Sequence, residues 1–306
     1  MQLGLVSAIL DGWDLDGVLS VLKREGLTCM EAACWPQGKA ERRYAGVSHI
    51  DCERVLTDAA YKDEVLGKLD SSGIALSALA FYPNTLDGDL EKRAANIAHL
   101  KTVIKAASVL GAGRVGTFIG RVSDRNLEDN LEEVKKVWPD ILKLAEDQGV
   151  QIAIENCPML FGPEQWPGGQ NIMTSPANWE RVFEILPSKN LGLNFDPSHF
   201  VWQQMDYIKA VYDFKDKIFH VHFKDIKLLP DKLARVGIMA YPLDFMAPKI
   251  PGLGDVNWSK FVSALTDIGY NGPACIELED RAFEGSKERV LQSITLSTRY
   301  MRNFVI

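Results

Sequence analysis

The chain lacks several signatures, and each absence narrows what it can be. Its five cysteines (Cys29, Cys34, Cys52, Cys157 and Cys275) are odd in number, and none stands in a CxxC pair. That argues against a disulfide framework or a thiolate zinc site and predicts a reduced, cytoplasmic setting. No apolar run approaches the roughly 18 residues of a membrane span. The opening MQLGLVSAIL has no basic residue and no charge before Asp11, so it reads as a first strand and not a signal peptide. Basic residues are in deficit, with a net charge of −7, which disfavours a nucleic-acid or anionic-membrane partner. Neither GxGxxG nor GxxxxGKS/T occurs, so the phosphate turn of an open nucleotide-binding sheet is missing.

What the 306 residues do contain is a regular alternation, in a composition 46% apolar and 25% charged that suits a globular fold. Period-two and apolar runs predict strands at 3–10, 27–33, 74–81, 114–119, 150–156, 191–196, 218–223 and 274–278. Amphipathic segments fall between them at 15–25, 52–70, 90–110, 127–148, 176–186, 206–214 and 258–268, with a closing one at 284–300. The clearest stripe is Leu127, Leu131, Val134, Trp138, Ile141 and Ala145. Strand and helix in strict alternation over this length predict an α/β fold, a (β/α)₈ TIM barrel forming a single domain over residues 1–306.

Four of the strands end on a polar group that faces away from the apolar side. Glu155 follows QIAI, Asp196 follows GLNF, His222 sits in FHVHFKD and Glu277 in ACIELED. Strands this apolar do not make a surface sheet, so their polar faces point into a closed barrel. Neighbouring strands stand about 4.8 Å apart, close enough for such side chains to converge on one ion. Three carboxylates and an imidazole favour one hard or borderline divalent metal ion. Mn²⁺ is foremost, with Mg²⁺, Co²⁺ or Zn²⁺ as alternatives. The competing reading is a buried ion-pair network drawn together by Lys224 or Arg121.

Three connections leave strand C-terminal ends and exceed ordinary loop length: 35–51, 157–173 and 226–255. That end of a barrel carries the active site, so they predict a rim and a lid over it, or contacts between copies in a homo-oligomer.

IAIEN, NFDPSH, HVHFKD, CIELED and PGLGDVNW, in this order, resemble the xylose isomerase-like barrels, which include sugar phosphate isomerases and epimerases, ketose 3-epimerases, inosose dehydratases and endonuclease IV. The resemblance covers nearly the whole chain. It implies a metal held by Glu155, Asp196, His222 and Glu277. It also implies acid/base roles for Glu155 and Glu277, and contact of His199 with substrate hydroxyls. The nuclease branch needs more histidines than the five present, and the charge is wrong for DNA.

The expected activity is a divalent-metal-dependent isomerase or epimerase acting on a sugar or sugar phosphate, by proton abstraction next to a carbonyl through a metal-stabilised enediolate. The alternative is a dehydratase or lyase of the same fold that ends in elimination, on an inosose or a 3-oxo-glycoside and including C-glycoside cleavage. The partner is then a small carbohydrate. Lys224, Trp35 and His49 join His199 as candidate substrate contacts. His220 reads as a packed neighbour of the site, and His99 as structural. The basic cluster Lys39, Arg42 and Arg43 reads either as an anion site or as a solvated face.

Overall fold

Eight parallel strands close on one another: β1 (Gln2–Val6), β2 (Cys29–Ala33), β3 (Ala75–Ala80), β4 (Arg114–Thr117), β5 (Gln151–Glu155), β6 (Leu191–Phe195), β7 (Ile218–Phe223) and, after the hairpin β8 (Asp225–Leu228) and β9 (Met246–Lys249), β10 (Pro273–Ile276). The order around the barrel is β1-β10-β7-β6-β5-β4-β3-β2. The computed structural model describes residues 1–38, 44–160 and 162–305, so Lys39, Arg42 and Arg43 lie outside the described residues. Among those described, no helix is long and apolar enough to cross a membrane.

The hydrophobic core lies between the barrel wall and the helices. Phe195 packs edge-on against Trp179 at 5.8 Å, and Phe223 against Trp258 at 5.3 Å. The helix Leu127–Asp147 buries Leu131, Val134, Trp138, Ile141 and Ala145, the predicted stripe, and Trp138 Nε1 donates to the Ile119 carbonyl at 3.0 Å. The barrel interior holds a polar layer, with Glu31, Asn194 and His220 all fully buried. Gly116 opens space for it, because a Cβ there would stand 2.5 Å from the Tyr82 hydroxyl.

Two expectations of the sequence need correction, and a third gains detail. The first strand ends at Val6, and Ser7–Leu10 turns into a 3-10 helix. There the Ser7 hydroxyl accepts from the Ala33 N–H at 2.9 Å, so a side chain takes a role the ladder would otherwise fill. The segment 52–70 is two helices, Cys52–Thr57 and Ala59–Ser72, because Asp58 leaves helical geometry to cap the second through the Tyr61 N–H. The connection 226–255 is not a plain loop. It carries the antiparallel pair β8 and β9 and a short helix, Pro230–Val236.

That insertion is anchored at its end by one carboxylate. Asp225 accepts from the N–H groups of Ile226, Gly252, Gly254 and Val256 and from Trp258 Nε1, all at 2.9–3.3 Å. Gly254 permits the approach, since a Cβ there would meet Asp225 Oδ1 at 2.2 Å. Asp225→Ala leaves several buried donors without an acceptor and is expected to lower unfolding free energy by about 3 kcal/mol or more. Urea denaturation checks this, and a loss under about 0.5 kcal/mol, the scatter of neutral surface changes, would rule the anchor out.

Candidate metal and substrate site

The C-terminal ends of β5, β6, β7 and β10 bring the four predicted ligands together. Glu155 is the last residue of β5, and Asp196 and Glu277 follow β6 and β10 directly. His222 is on β7, whose partner at that register is Cys275 of β10. The Asn156 amide fixes Asp196, accepting from its N–H at 2.8 Å and donating to its carbonyl at 2.9 Å. Asn171 holds the next loop back by donating to the Glu155 and Cys157 carbonyls.

One donor atom from each of Glu155, Asp196, His222 and Glu277 lies within 4.8 Å of the others. His222 Nδ1 is 3.0 Å from Glu277 Oε2 and 3.5 Å from Glu155 Oε1. An ion held at about 2.1 Å places adjacent ligands roughly 3 Å apart, so this spacing suits one. The second fit is hydrogen bonding. Glu155 Oε1, Asp196 Oδ2, His222 Nδ1 and Glu277 Oε2 are all buried and none makes a well-directed hydrogen bond, the imidazoles of His222 and His199 being their only close neighbours among the described residues. The other oxygens are engaged where it matters: Asp196 Oδ1 accepts from the Ser198 N–H, and Glu277 Oε1 from Lys224 Nζ at 3.1 Å. Buried polar atoms without partners are rare, and four aimed at one point fit a cation. Two further groupings are compact enough for metal, Glu31 with His220 and His222, and Glu155 with Cys157 and His199. The first is already bonded internally and offers no such set of orphaned atoms.

Glu31 and Tyr82 belong to this site and were not foreseen. Glu31 Oε2 is 2.7 Å from His222 Nε2, and Tyr82 donates to Glu31 Oε1 at 2.8 Å. The carboxylate therefore keeps a proton on Nε2 and leaves Nδ1 as the nitrogen that faces the cluster and would bind an ion once deprotonated. With Nε2 protonated, the 2.9 Å approach of Asn194 Nδ2 to it is a contact and not a hydrogen bond. His220 is a packed neighbour, joined to Asn194 Oδ1 at 3.0 Å and Ser77 Oγ at 3.1 Å. The signal available in the sequence was weak: Glu31 is one charge inside the apolar run CMEAA.

A cavity of about 560 Å³ opens above the cluster, lined by Glu155, His199, His222, Lys224, Glu277 and Trp35 among others. His199 accepts from Trp202 Nε1 on Nδ1 and presents Nε2 to Asp196 Oδ2 at 3.2 Å. Lys224 Nζ lies between Glu277 Oε1 and Glu279 Oε2, at 3.1 and 3.2 Å, so part of the ion-pair reading holds. Arg121 is elsewhere, donating to the Gly168 carbonyl. Trp35 stands edge-on to Phe81 at 4.9 Å on the cavity wall. His49 is not brought to the site. Its Nδ1 pairs with Ser7 Oγ at 2.8 Å and its Nε2 with the Leu10 carbonyl at 3.1 Å, which leaves no ring nitrogen for a ligand. His99 is bonded to the Cys34 carbonyl at 2.8 Å. Of the 157–173 connection, Cys157 through Leu160 line the cavity, and Trp166 Nε1 donates to the Met239 carbonyl at 2.7 Å. The two long rim insertions are thus tied to each other.

Electrostatics push these groups in complementary directions. Burial opposes charge on His222, but Glu31, Glu277 and Glu155 outweigh it and hold the imidazole well above its usual range. Burial likewise works against the Glu277 carboxylate, and Lys224 beside it brings it down. A proton on His222 thus occupies the charge deficit that a cation would fill. Metal binding at Nδ1 must expel that proton, so affinity is expected to fall as pH drops. Calorimetry of Mn²⁺ binding near neutral pH, in buffers of different ionisation enthalpy, should register proton release; none would contradict ligation by His222. Glu31→Gln should weaken metal binding by about ten- to a hundredfold while leaving the fold intact. Metal affinity equal to the parent's would remove Glu31 from the site.

Comparison with known proteins agrees with this architecture. The family model described as a xylose isomerase-like TIM barrel matches residues 19–300. The uncharacterised protein YfiH of Bacillus subtilis is 28% identical over 255 residues, covering 76% of this chain and 80% of YfiH. An inosose isomerase of Bacillus velezensis is 27% identical over 217 residues, 67% of this chain and 66% of its own. Among solved structures, the IOLI protein, described with a binding zinc atom, superposes with a TM-score of 0.70 at 19% identity over the full length of both chains. With a closed eight-stranded barrel and a family match over most of its length, the chain belongs to the xylose isomerase-like TIM barrel family.

Proposed function

We propose that this chain is a divalent-metal-dependent isomerase or epimerase of a small carbohydrate. The observation that carries the reading is the convergence of four orphaned buried donor atoms on the floor of a cavity. Glu155, Asp196, His222 and Glu277 would hold the ion. When bound, the ion supplies a Lewis acid for a carbonyl oxygen and its neighbouring hydroxyl, and so acidifies the C–H between them. Mn²⁺ suits the oxygen-rich donor set, and the zinc of the IOLI structure keeps Zn²⁺ among the candidates.

The chain's own groups divide the remaining work. Glu155 and Glu277 leave β5 and β10, with β6 and β7 between them, so they flank the cavity floor. One removes the proton next to the carbonyl and the other returns it from the opposite face. Lys224, held between Glu277 and Glu279, and His199, steadied by Trp202, bind substrate oxygens in this reading. Trp35 offers a flat apolar wall. A second reading retains the same proton abstraction and ends in elimination, on an inosose or 3-oxo-glycoside. It is supported by inosose dehydratases among the similar proteins, those of Lactiplantibacillus plantarum and Clostridium tetani, at 25% and 22% identity.

Solvent deuterium exchange into a keto-sugar, run on Glu155→Gln and Glu277→Gln with metal occupancy checked, separates the roles. Each variant should lose net turnover by roughly a hundred- to ten-thousandfold, the usual worth of a general base. With one base per face, one variant retains exchange from one side. Full turnover in both, with metal bound, would remove these glutamates from the mechanism. An eliminated product seen by NMR in the parent enzyme would decide for the second reading.

A further inference from the structure

The barrel has a second opening, at the end opposite the metal cluster. A cavity of about 280 Å³ lies there, lined by Arg114, Gln151, Lys215, Phe219, Tyr270 and Asn271 among others. Arg114 opens β4, Gln151 opens β5, Phe219 is the second residue of β7, and Tyr270 and Asn271 precede β10. These are N-terminal strand ends, the side on which barrel enzymes do not place their chemistry. Between the two ends the interior is filled by Cys29, His220 and Cys275, all fully buried, and by Ser77. A ligand bound at this end therefore does not reach the metal cluster.

Arg114 and Gln151 are partners in the β4–β5 register, so their side chains share one face. Two residues on, Gly116 faces the Tyr82 hydroxyl, which places that face inside the barrel. Arg114 thus enters the barrel floor, and its Nε is buried with no hydrogen-bond partner. Among the described residues no carboxylate pairs with Arg114 or Lys215, and the side-chain amides of Gln151 and Asn271 make no hydrogen bond. The neighbouring Lys217 is committed, donating to the Ser188 and Leu191 carbonyls. The Tyr270 hydroxyl donates to the Pro273 carbonyl at 2.7 Å, and burial raises its pKa, so it adds no negative charge. A lining with two cations and no acidic residue runs against a chain whose net charge is −7. Burying part of a guanidinium without a partner is costly, and an anion removes that cost.

We infer that this cavity is an oxyanion site, in which Arg114 and Lys215 hold a phosphate-class dianion and Gln151 and Asn271 donate to its remaining oxygens. The guanidinium fork matches two oxygens of one group, and the ammonium adds a second charge. Two cations favour a dianion over a monoanion such as acetate. The site stands apart from the proposed reaction and does not depend on it.

The test is calorimetric titration of the full chain with inorganic phosphate, at mildly alkaline pH and constant ionic strength. One phosphate should bind per chain, and acetate about tenfold more weakly or worse. Arg114→Met keeps the apolar stem and should weaken phosphate roughly tenfold or more, the worth of a charge-assisted pair. Lys215→Met, at an exposed position, should weaken it about threefold. Melting curves report folding of each variant, and phosphate should raise the parent's Tm but not that of Arg114→Met. If Arg114→Met does not fold, Lys215→Met decides alone. The titration is run with Mn²⁺ and again after metal is stripped, since phosphate bound to a metal would be lost and phosphate at Arg114 would stay. No saturable binding, binding untouched by the substitutions, or binding that needs Mn²⁺ would overturn the site. Acetate binding as tightly as phosphate would overturn the dianion assignment.

Discussion

Negative charge concentrated inside a wall of low dielectric is the condition that the rest of this structure answers to. Glu31, Glu155, Asp196 and Glu277 project into one barrel, and His199, His222 and Lys224 stand close by as cationic partners. Buried carboxylates are costly unless paired or hydrogen-bonded. The structure splits two of them: one oxygen of Asp196 and of Glu277 is satisfied by the protein, and the other is left aimed at a point shared with Glu155 Oε1. Glu31 is treated differently. Both of its oxygens are bonded, to Tyr82 and His222, so it orients a neighbour and does not face the shared point itself.

Rigidity around that point comes from elements far apart in the chain. The strands fix height and direction, and the outward faces of β6 and β7 are locked by Trp179 and Trp258. Side-chain amides then hold the first residues beyond the strands, Asn156 on Asp196 and Asn171 on the loop after Glu155. Such groups replace a ladder that has ended and keep a ligand in place where backbone would otherwise be free.

The rim obeys a different logic. The insertions after β5 and β7 meet through Trp166, which stacks edge-on to Trp202 at 6.2 Å and donates to the Met239 carbonyl. Trp202, Ile226 and Phe245 form a small apolar cluster there, against which Trp166, Leu233 and Met246 pack. A barrel that holds its chemistry on strands and its substrate contour on loops can change the second without disturbing the first.

By itself the sequence determined the barrel and which residues gather as candidate metal ligands at the ends of its strands. Both follow from local periodicity: alternation of strands and helices, and period-two faces that put Glu155, His222 and Glu277 inward. Asp196, one residue past β6, kept that face although the strand had stopped. Tertiary structure alone decided which groups complete the site. Glu31 and His222 are 191 positions apart and meet only because the barrel closes β2 near β7, so no spacing rule connects them. The same closure took His49 away, since Ser7 and Leu10, 42 and 39 positions earlier, satisfied both its nitrogens. Periodicity tells which way a side chain points, but a hydrogen bond forms with whatever the closed barrel brings within about 3 Å, and that is a property of the whole chain.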